Sequence, residues 1–338
     1  MLRLGQIGAG IWGSNLLRNF RKINKAKVAA CCDKDRRKLE KARSLYSDLE
    51  TTTDIGDLLT KFDLDAVVIA TPPSSHGALA ELALENNMHV FVEKPLALNT
   101  VDAMRICKLA EKRKLTLMVG HLLLYHPAIA LLKKIINSGE LGKVLYIYST
   151  RVNLGQVRLE ENALWSLAPH DVSVVLHLLD EMPVEVATRG ESYLQKGIED
   201  VIFMSLKFKR KTLSNIHVSW LDPHKMRRFT IVGSKKMAVF DDMEPADKIK
   251  IYDKGVDRKT DYNYETFFSI REGDVHIPRI KLMEPLRIEC QHFVDSVLNK
   301  KRPLTDGYNG LKVLSVLEAA QESLRRSGMP VKVRRNIR

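Results

Sequence analysis

The sequence has few cysteines, and they form no recognisable framework. The four cysteines, Cys31, Cys32, Cys107 and Cys290, include no Cys-x-x-Cys pair and no cluster with histidine at zinc spacing. This pattern argues against a disulfide scaffold and against a structural metal, and we predict no metal site. A cytoplasmic protein in a reducing compartment fits such cysteine usage best.

Long hydrophobic runs are also missing. The longest, such as Leu64 to Ala70, are far shorter than the roughly 18 residues that a membrane-spanning helix needs. The chain enters a strand-like run at Leu2, with no basic and apolar leader ahead of it. We therefore expect a soluble protein with no membrane partner.

The composition is that of a globular protein, with 45% hydrophobic and 28% charged residues in 338 positions. A chain of this length predicts two domains. The net charge of +13 favours an anionic partner. Part of the excess is local, because the segment from Ser323 to Arg338 has six Lys or Arg residues and no acid. Such a segment is either a solvated basic tail or a nucleic-acid arm; we favour the tail and expect no nucleic acid partner.

The first 120 residues alternate short apolar runs with amphipathic helical stretches. Near-continuous apolar strands between helices are typical of a parallel sheet covered on both faces. We predict a doubly wound α/β domain of the Rossmann type over residues 1–120. The strand-length runs are Leu2–Ile7, Val28–Cys32, Ala66–Ala70, His89–Val92 and Leu115–Val119.

The second half, residues 121–338, changes character. Helices are predicted from Pro127 to Asn137 and from Pro169 to Leu179, and two more near the end of the chain. Between them, runs such as Ile202–Phe208 alternate apolar and polar residues, which indicates a mostly antiparallel sheet with one wetter face. The polar, weakly patterned stretch Asp241–Arg279 is interpreted as loops or an excursion. This half is therefore an α+β domain.

A Gly-x-Gly-x-x-Gly motif, Gly8-Ala9-Gly10-Ile11-Trp12-Gly13, lies between the first strand and a helix. Its glycines permit a tight turn and the close approach of a pyrophosphate, which then sits at the helix N-terminus. The second strand ends at Asp33, 20 positions after Gly13, where a carboxylate can bind both ribose hydroxyls and repel a 2′-phosphate. NAD is therefore favoured over NADP, although nearby cations such as Arg37 soften that preference. Gly8, Gly10, Ile11, Trp12, Asp33 and Arg37 are the predicted cofactor contacts here.

Two further loops follow strands of the same sheet. Ligands of such sheets bind outside the carboxyl ends of the strands, so Thr71, Pro72 and His76 are predicted to contact the cofactor. A Pro-Pro turn leading into a serine-capped helix is the structural alternative. Glu93-Lys94-Pro95 ends another strand, and a lysine there can stabilise the alkoxide that develops during hydride transfer. A surface lysine at a strand end is the alternative for Lys94.

These motifs, with the later Pro169-His170-Asp171, occur in an order and spacing that resemble the glucose–fructose oxidoreductase, inositol dehydrogenase and rhizopine-catabolism (Gfo/Idh/MocA) family. The resemblance covers essentially the whole chain, and Glu93-Lys94-Pro95 is its most specific element. It implies an NAD(P)-dependent oxidoreductase for sugars or cyclitols. It also implies a Rossmann domain followed by an open-sheet domain, with dimers or tetramers formed through that sheet. Lys94 becomes a predicted catalytic residue, and Glu93 a cofactor contact.

The resemblance implies a second catalytic group, His170, placed by Pro169 in a first helical turn. An imidazole titrates near neutral pH and can take the carbinol proton as hydride leaves. Inositol-type members have an aspartate four residues earlier, where this chain has Ser166, which argues against a cyclitol. The orientation of His170 is therefore left open.

Substrate contacts are predicted at His121, Arg151, Asn153, Lys225 and Arg228. The last two belong to a basic loop that suits a diphosphate, because arginine makes bidentate contacts to phosphate oxygens. A solvated basic loop is the alternative. Many family members have an arginine before an aromatic where Leu124 stands, so that clamp is missing.

The Gly-x-Trp-Gly loop and Trp165-x-x-x-Pro169-His170-Asp171 resemble the branch that oxidises the C3 hydroxyl of UDP-N-acetylglucosamine-type substrates for a partner aminotransferase. The leading hypothesis is NAD-dependent 3-dehydrogenation of such a nucleotide sugar. One alternative is a dehydrogenase, or a 3-ketosugar reductase, for a free sugar or cyclitol. Another is a non-enzymatic NAD sensor or nucleic-acid-binding protein that uses the positive charge.

Overall fold

The computed structural model describes residues 1–260 and 266–334 and divides the chain into two compact units. The first unit contains Met1–Tyr125 and Met283–Ser315. The second contains His126–Leu282 and the segment that begins at Val316. Within the described part of the chain, no helix combines the length and hydropathy that crossing a bilayer requires.

The first unit is built on a six-stranded parallel sheet with the strand order β3-β2-β1-β4-β5-β6. Its strands are β1 (Leu2–Ile7), β2 (Ala26–Cys32), β3 (Glu50–Thr52), β4 (Ala66–Ile69), β5 (His89–Glu93) and β6 (Leu117–Gly120). Its helices are α1 (Ile11–Phe20), α2 (Arg36–Leu45), α3 (Ile55–Lys61), α4 (Pro73–Glu85) and α5 (Thr100–Arg113), followed by a 3-10 helix (Leu122–Tyr125). The predicted doubly wound fold is confirmed.

Burial explains why these segments form strands and helices. Every residue of β4 is buried, as expected for a central parallel strand covered on both faces. On α5, the buried residues are Ala103, Ile106, Cys107 and Ala110, which follow helical spacing along one face. The apolar periodicity of the sequence therefore decided both kinds of element.

A helix from late in the chain completes the core of the first unit. Helix α8 (Pro285–Leu298) contacts α1, and its Phe293 packs edge-on against Phe20 and Phe91, with ring centroids 6.1 and 5.7 Å apart. Met283–Ser315 therefore groups with the N-terminal unit, whereas the sequence placed all of residues 121–338 in a second domain. The difference arises because only packing shows which sheet a late amphipathic helix covers.

The second unit is built on a nine-stranded, mostly antiparallel sheet with the order β14-β13-β12-β11-β7-β10-β9-β8-β15, in which β7 and β10 are parallel. Its strands are β7 (Val144–Val152), β8 (Glu185–Glu191), β9 (Val201–Lys207), β10 (Leu213–Ser219), β11 (Met226–Gly233), β12 (Met237–Asp241), β13 (Ile249–Thr260), β14 (Thr266–His276) and β15 (Val331–Lys332). Its helices are α6 (Pro127–Asn137) and α7 (Ala163–Leu179), and α9 (Gly307–Arg325) contributes residues to both units. The predicted α+β class is confirmed.

Two local predictions in this unit were wrong. The stretch Asp241–Arg279, interpreted as loops or an excursion, contains the paired strands β13 and β14, whose polar residues conceal the strand period. Helix α7 begins at Ala163 rather than Pro169, because the side chain of Asn162 caps it by accepting a hydrogen bond from the backbone N–H of Trp165 at 3.2 Å. Pro169 therefore lies inside the helix.

Candidate active site

The glycine loop after β1 is packed too tightly for side chains at two of its three positions. Gly8 has φ of +100°, and a Cβ there would lie 2.3 Å from the carbonyl oxygen of Ala70. A Cβ on Gly13 would lie 2.2 Å from the carbonyl oxygen of Gly8. Gly10, in contrast, faces open space at the N-terminus of α1. This loop leaves room for a phosphate group beside free helix N–H groups.

Asp33 follows β2 and lies against the same loop. Its Oδ2 accepts a hydrogen bond from the backbone N–H of Ala9 at 2.8 Å, and its Oδ1 accepts one from that of Asp35 at 2.9 Å. The carboxylate is thereby fixed at the carboxyl end of the strand, where the sequence placed a ribose contact. Arg37 lies on the surface and donates from Nε to Asp35 at 3.1 Å, so the structure pairs it with the N-cap of its own helix.

Pro72 lies in the loop after β4, and His76 is the fourth residue of the following helix α4, with both ring nitrogens facing backbone carbonyls. Its side chain is 1% exposed, and its ring nitrogens lie 2.8 Å from the carbonyl oxygens of Pro95 and Thr71. The ring is therefore engaged by the protein itself, which differs from its predicted role as a cofactor contact. Pro72 is the N-cap of α4, so the expected serine cap is also absent from this helix.

The start of α1, within the glycine motif, is hydrogen-bonded to the last residue of β5. Trp12 donates its indole N–H to Glu93 Oε1 at 2.5 Å, although the tryptophan side chain remains 40% exposed. The neighbouring strand makes room for this carboxyl, because a Cβ on Gly120 would lie 2.9 Å from Glu93 Oε1. Burial raises the pKa of Glu93 to about 7, against the hydrogen bond from Trp12 and the charge of Lys94.

Glu289 on α8 is a buried acid that the sequence analysis missed. Its side chain is fully buried, and neither carboxyl oxygen has a hydrogen-bond partner among the described residues. Burial, followed by the charge of Glu93, raises the pKa of Glu289 well above its usual value. The signal was an acid in an apolar stripe, because Glu289 shares a helix face with the buried Leu286 and Phe293.

His121 follows β6, and its buried ring has hydrogen-bonding capacity that a ligand could use. It is 2% exposed, and in the described part of the chain neither ring nitrogen has a hydrogen-bond partner. Burial, and then the charge of Lys94, lowers its pKa to about 3, so the ring is a neutral imidazole beside an ammonium group. Such a ring offers one donor and one acceptor, and leaving both unused in the interior is costly.

In the second unit, His170 lies in the middle of α7, partly buried, one turn after the buried Ser166. The residue after it, Asp171, is fully buried and accepts a hydrogen bond from Arg151 Nε at 2.5 Å. Burial raises the pKa of Asp171, and the charge of Arg151 opposes that shift. Arg151, predicted as a substrate contact, is thus part of an internal ion pair beside His170.

The predicted substrate arginines do not share a face of the sheet. Arg151 on β7 lies opposite Arg227 on β11, whereas Arg228 lies opposite Thr150 on the other face. Arg228 also makes an exposed ion pair with Asp241 at 2.7 Å. Arg228 and Arg151 therefore point to opposite faces of the sheet, since adjacent strand residues alternate. Arg227, which the sequence analysis did not select, is the residue that shares the face of Arg151 and Asp171.

The remaining predicted residues lie near the same strand ends. Asn153 directly follows β7 and donates its backbone N–H to the carbonyl of Ser219 at 3.2 Å. Lys225 is exposed immediately before β11. Among residues 1–260 and 266–334, no group of His, Cys, Asp and Glu side chains is arranged to hold a metal ion.

Two family models match this chain. The model described as an oxidoreductase family with an NAD-binding Rossmann fold matches residues 2–121. The model described as the GFO/IDH/MocA C-terminal domain matches residues 129–239, and together the two cover about two thirds of the sequence. The chain belongs to the Gfo/Idh/MocA oxidoreductase family, which includes NAD-dependent sugar dehydrogenases, and its first unit is an NAD(P)-binding domain.

Individual relatives carry different reaction names. A 2,7-anhydro-N-acetylneuraminate hydratase of Mediterraneibacter gnavus is 28% identical over 216 residues, which span 60% of this chain and 57% of that protein. An inositol 2-dehydrogenase of Salmonella typhimurium is 30% identical over 185 residues, or 53% of this chain and 55% of that protein. The chain thus spans little more than half the length of these two relatives.

A UDP-N-acetylglucosamine 3-dehydrogenase of Acidithiobacillus ferrooxidans is 25% identical over 317 residues, which are 93% of this chain and 94% of that protein. Its solved structure matches with a TM-score of 0.81 at 24% identity over 96% of this chain and 98% of that chain. The fold is therefore shared along nearly the whole length. The three names differ, so membership defines the oxidoreductase class and leaves the substrate open.

Proposed function

We propose that this protein oxidises the C3 hydroxyl of a UDP-N-acetylglucosamine-type nucleotide sugar to a ketone, with NAD as the hydride acceptor. The observation that carries the proposal is the buried imidazole of His121 after β6, which has no hydrogen-bond partner among the described residues and whose pKa is lowered by burial and then by the charge of Lys94. Ligands of doubly wound sheets bind at that edge. A buried ring with both nitrogens open in the described structure suits a hydroxyl-rich ligand.

The glycine loop and Asp33 fit a dinucleotide. Gly10 faces open space at the start of α1, and the Asp33 carboxylate is held beside the loop by Ala9. These residues would hold the pyrophosphate and the ribose, and the carboxylate disfavours a 2′-phosphate, so NAD is preferred over NADP. When bound, the nicotinamide supplies the site for the hydride.

The protein groups then have separate roles. Lys94 polarises the C3 oxygen and stabilises the negative charge that develops on it, and His170 takes the hydroxyl proton as general base. His121 donates to or accepts from a sugar hydroxyl without carrying charge, because burial keeps its ring neutral. Arg227, 43% exposed and 3.5 Å from Asp242, offers its remaining N–H groups to the substrate, and Lys225 offers a mobile charge to the diphosphate.

The choice of a nucleotide sugar has two supports. The dehydrogenase of Acidithiobacillus ferrooxidans aligns in sequence with this chain over 94% of its length, whereas the hydratase of Mediterraneibacter gnavus and the inositol 2-dehydrogenase of Salmonella typhimurium align over 57% and 55% of theirs. In addition, Ser166 stands where inositol-type members have an aspartate. A dehydrogenase or 3-ketosugar reductase for a free sugar or cyclitol is the second candidate, favoured by the inositol dehydrogenase relative.

We further propose that copies of this chain associate through the second unit's sheet. The large apolar residues Tyr146, Tyr148 and Phe203 are 42%, 43% and 56% exposed on it. Several large apolar residues exposed on one face of a sheet are typical of a protein–protein contact. A homodimer or homotetramer would cover this face, and sedimentation velocity of the purified protein tests it.

The 3-keto product suits a partner aminotransferase, since a ketone is the substrate of that reaction class.

The deciding experiment measures NADH formation with UDP-N-acetylglucosamine, its uronic acid, free N-acetylglucosamine and myo-inositol in parallel. Glutamate and a 3-aminotransferase are added to draw off the ketone. NADH formed only with a UDP-sugar supports the proposal, and a signal lost on removing UDP identifies the diphosphate as part of the recognition. NADH formed only with a free polyol overturns the substrate and moves it to the second candidate. No NADH with any of them overturns both.

A further inference from the structure

One buried histidine joins the two loops that follow β4 and β5. His76 is the fourth residue of α4 and is 1% exposed. Its Nδ1 lies 2.8 Å from the carbonyl oxygen of Pro95, the residue after Lys94. Its Nε2 lies 2.8 Å from the carbonyl oxygen of Thr71. One ring therefore spans the distance between the loop of Lys94 and the loop that follows β4.

The hydrogen count at this ring limits what it can do. A carbonyl oxygen only accepts, so each 2.8 Å contact is a hydrogen bond only when the facing nitrogen carries a hydrogen. A neutral imidazole has one N–H and bonds to one of the two loops. An imidazolium has two and bonds to both. The ring thus always ties at least one loop, and a second tie forms when it is protonated.

The groups around the ring determine the pH at which it gains the second proton. Burial lowers the pKa of His76; backbone groups of Pro95, Thr71 and Glu93 oppose that shift, and the charge of Lys94 adds to it. On the side of α4 that faces α5, Glu81 and Arg105 pair with each other at 2.9 Å. The net direction is downward, so the second tie forms below the usual pH of histidine ionisation.

We propose that His76 is a positioning residue for Lys94: its ring, carried on α4 directly after the Thr71 loop, donates a hydrogen bond to the Pro95 carbonyl and so holds the lysine at the reacting position. This inference rests on the proposed function only in its use of Lys94 as the catalytic lysine. Both ring nitrogens of His76 face backbone carbonyls of the protein. His76 acts through the backbone on either side of the lysine, and small displacements at a reacting centre cost large factors in rate.

The first test compares His76→Leu, which removes both ties, with His76→Gln, which keeps one donor. We expect His76→Leu to lower kcat by about 100-fold with NADH affinity within about threefold of wild type. His76→Gln should recover most of that loss. His89→Leu is the matched control, because His89 is also a mostly buried histidine but lies at the opposite end of β5, where its Nδ1 accepts from Thr116 at 2.8 Å.

A second readout needs no substrate. The rate of reductive methylation of Lys94, followed by peptide mass spectrometry in the cofactor-free protein, reports how firmly the lysine is held. We expect the rate of Lys94 methylation to change several-fold in His76→Leu and to stay at the wild-type value in His89→Leu. Unchanged Lys94 reactivity and kcat in His76→Leu overturn the proposal, and so does an equal loss in His89→Leu, which would indicate a general loss of stability.

If neither His76 variant folds, nitrogen-15 NMR of the wild-type histidines decides the matter. A His76 side-chain N–H proton protected from solvent exchange, joined by a second one on acidification, supports the two ties. Ring protons that exchange freely at every pH overturn them. These readouts also separate the two proposals, because an inactive enzyme with a protected His76 N–H contradicts the assigned reaction and leaves the positioning role intact.

Discussion

Two buried groups of the first unit contrast with two buried acids of the second. In the first, His121 and Glu289 are almost completely inaccessible, and neither has a hydrogen-bond partner in the part of the chain that is described. In the second, Asp171 is paired with Arg151 at 2.5 Å. Asp200 there accepts hydrogen bonds from two backbone N–H groups and from the Trp220 indole at 2.7 Å.

This difference separates residues kept for a ligand from residues kept for the fold. A buried polar group without a partner costs free energy that the rest of the domain must offset, and such groups concentrate where a ligand completes them. A buried acid that accepts hydrogen bonds on both carboxyl oxygens, as Asp200 does, is a structural element. The first unit therefore has buried ionisable side chains, His121 and Glu289, whose hydrogen-bonding capacity is unused within the described part of the chain. The second has a buried acid, Asp171, that is paired with Arg151 next to His170.

The largest expected effect comes from the proposed catalytic groups. Lys94→Ala and His170→Ala should each lower kcat by about 10²- to 10⁴-fold, because each removes a group acting on the reacting hydroxyl. NAD affinity should stay within a few-fold of wild type. Initial rates and NADH titrations measure both quantities, with the exposed Lys143→Ala as control. Near-normal rates in both variants would contradict the mechanism.

The next effect tests whether the second unit's charge is structural. Asp171→Asn leaves the Arg151 cation buried without its carboxylate and should destabilise the protein by about 3–5 kcal/mol. The double variant Arg151→Met with Asp171→Leu should recover most of that loss. Urea unfolding followed by circular dichroism gives these values. A stable Asp171→Asn protein would show that the pair contributes nothing to the fold.

For Glu289, the buried acid of the first unit, we expect the free energy of unfolding to depend on pH. The pKa of Glu289 is raised in the folded state, so above about pH 4.5 folding retains a proton that the unfolded chain has released. The wild type should therefore lose stability relative to Glu289→Gln by about 1.4 kcal/mol for each pH unit, until the folded group ionises.

Unfolding at about pH 5, 7 and 9 measures this gap between wild type and Glu289→Gln. The control is Glu272→Gln, whose side chain is 74% exposed and should show no such trend. A gap that stays constant with pH would mean that Glu289 ionises normally, and the contrast between the two units would then rest on His121 alone.

The smallest effect concerns the two neighbouring arginines of β11. Arg227→Ala should raise KM for a UDP-sugar by about tenfold, as for a lost charge-assisted hydrogen bond. Arg228→Ala should change KM less than about twofold, because its exposed pair with Asp241 contributes little. Initial-rate kinetics of both variants test the assignment. The opposite ranking would place the substrate on the other face of the sheet.

Much of the first unit follows from the sequence. The apolar run Leu2–Ile7 is β1 from end to end, and the stripe on α5 is buried as its spacing requires. The positions of the glycine loop, Asp33 and Lys94 at strand ends follow from the same alternation. Periodicity is readable because it records, within one element, which residues face the interior.

The roles of individual side chains were less accessible. The hydrogen bonding of His76 depends on Pro95, and the pKa of Glu289 depends on Glu93 at the end of β5. Both partners are distant in the sequence. The face of Arg228 depends on the register between β7 and β11, and a shift of one residue reverses it. No local pattern reports such pairings.

The sequence by itself therefore determined the class of fold, the glycine loop and the placement of the lysine, since these depend on local spacing and on the chirality of βαβ units. The tertiary structure alone decided that α8 completes the first unit, that His76 is engaged by two carbonyls and that His121 is left open. The physical reason is that burial and hydrogen-bond satisfaction are properties of contacts between distant segments. A linear pattern shows which face of an element is apolar, and only packing shows what covers it.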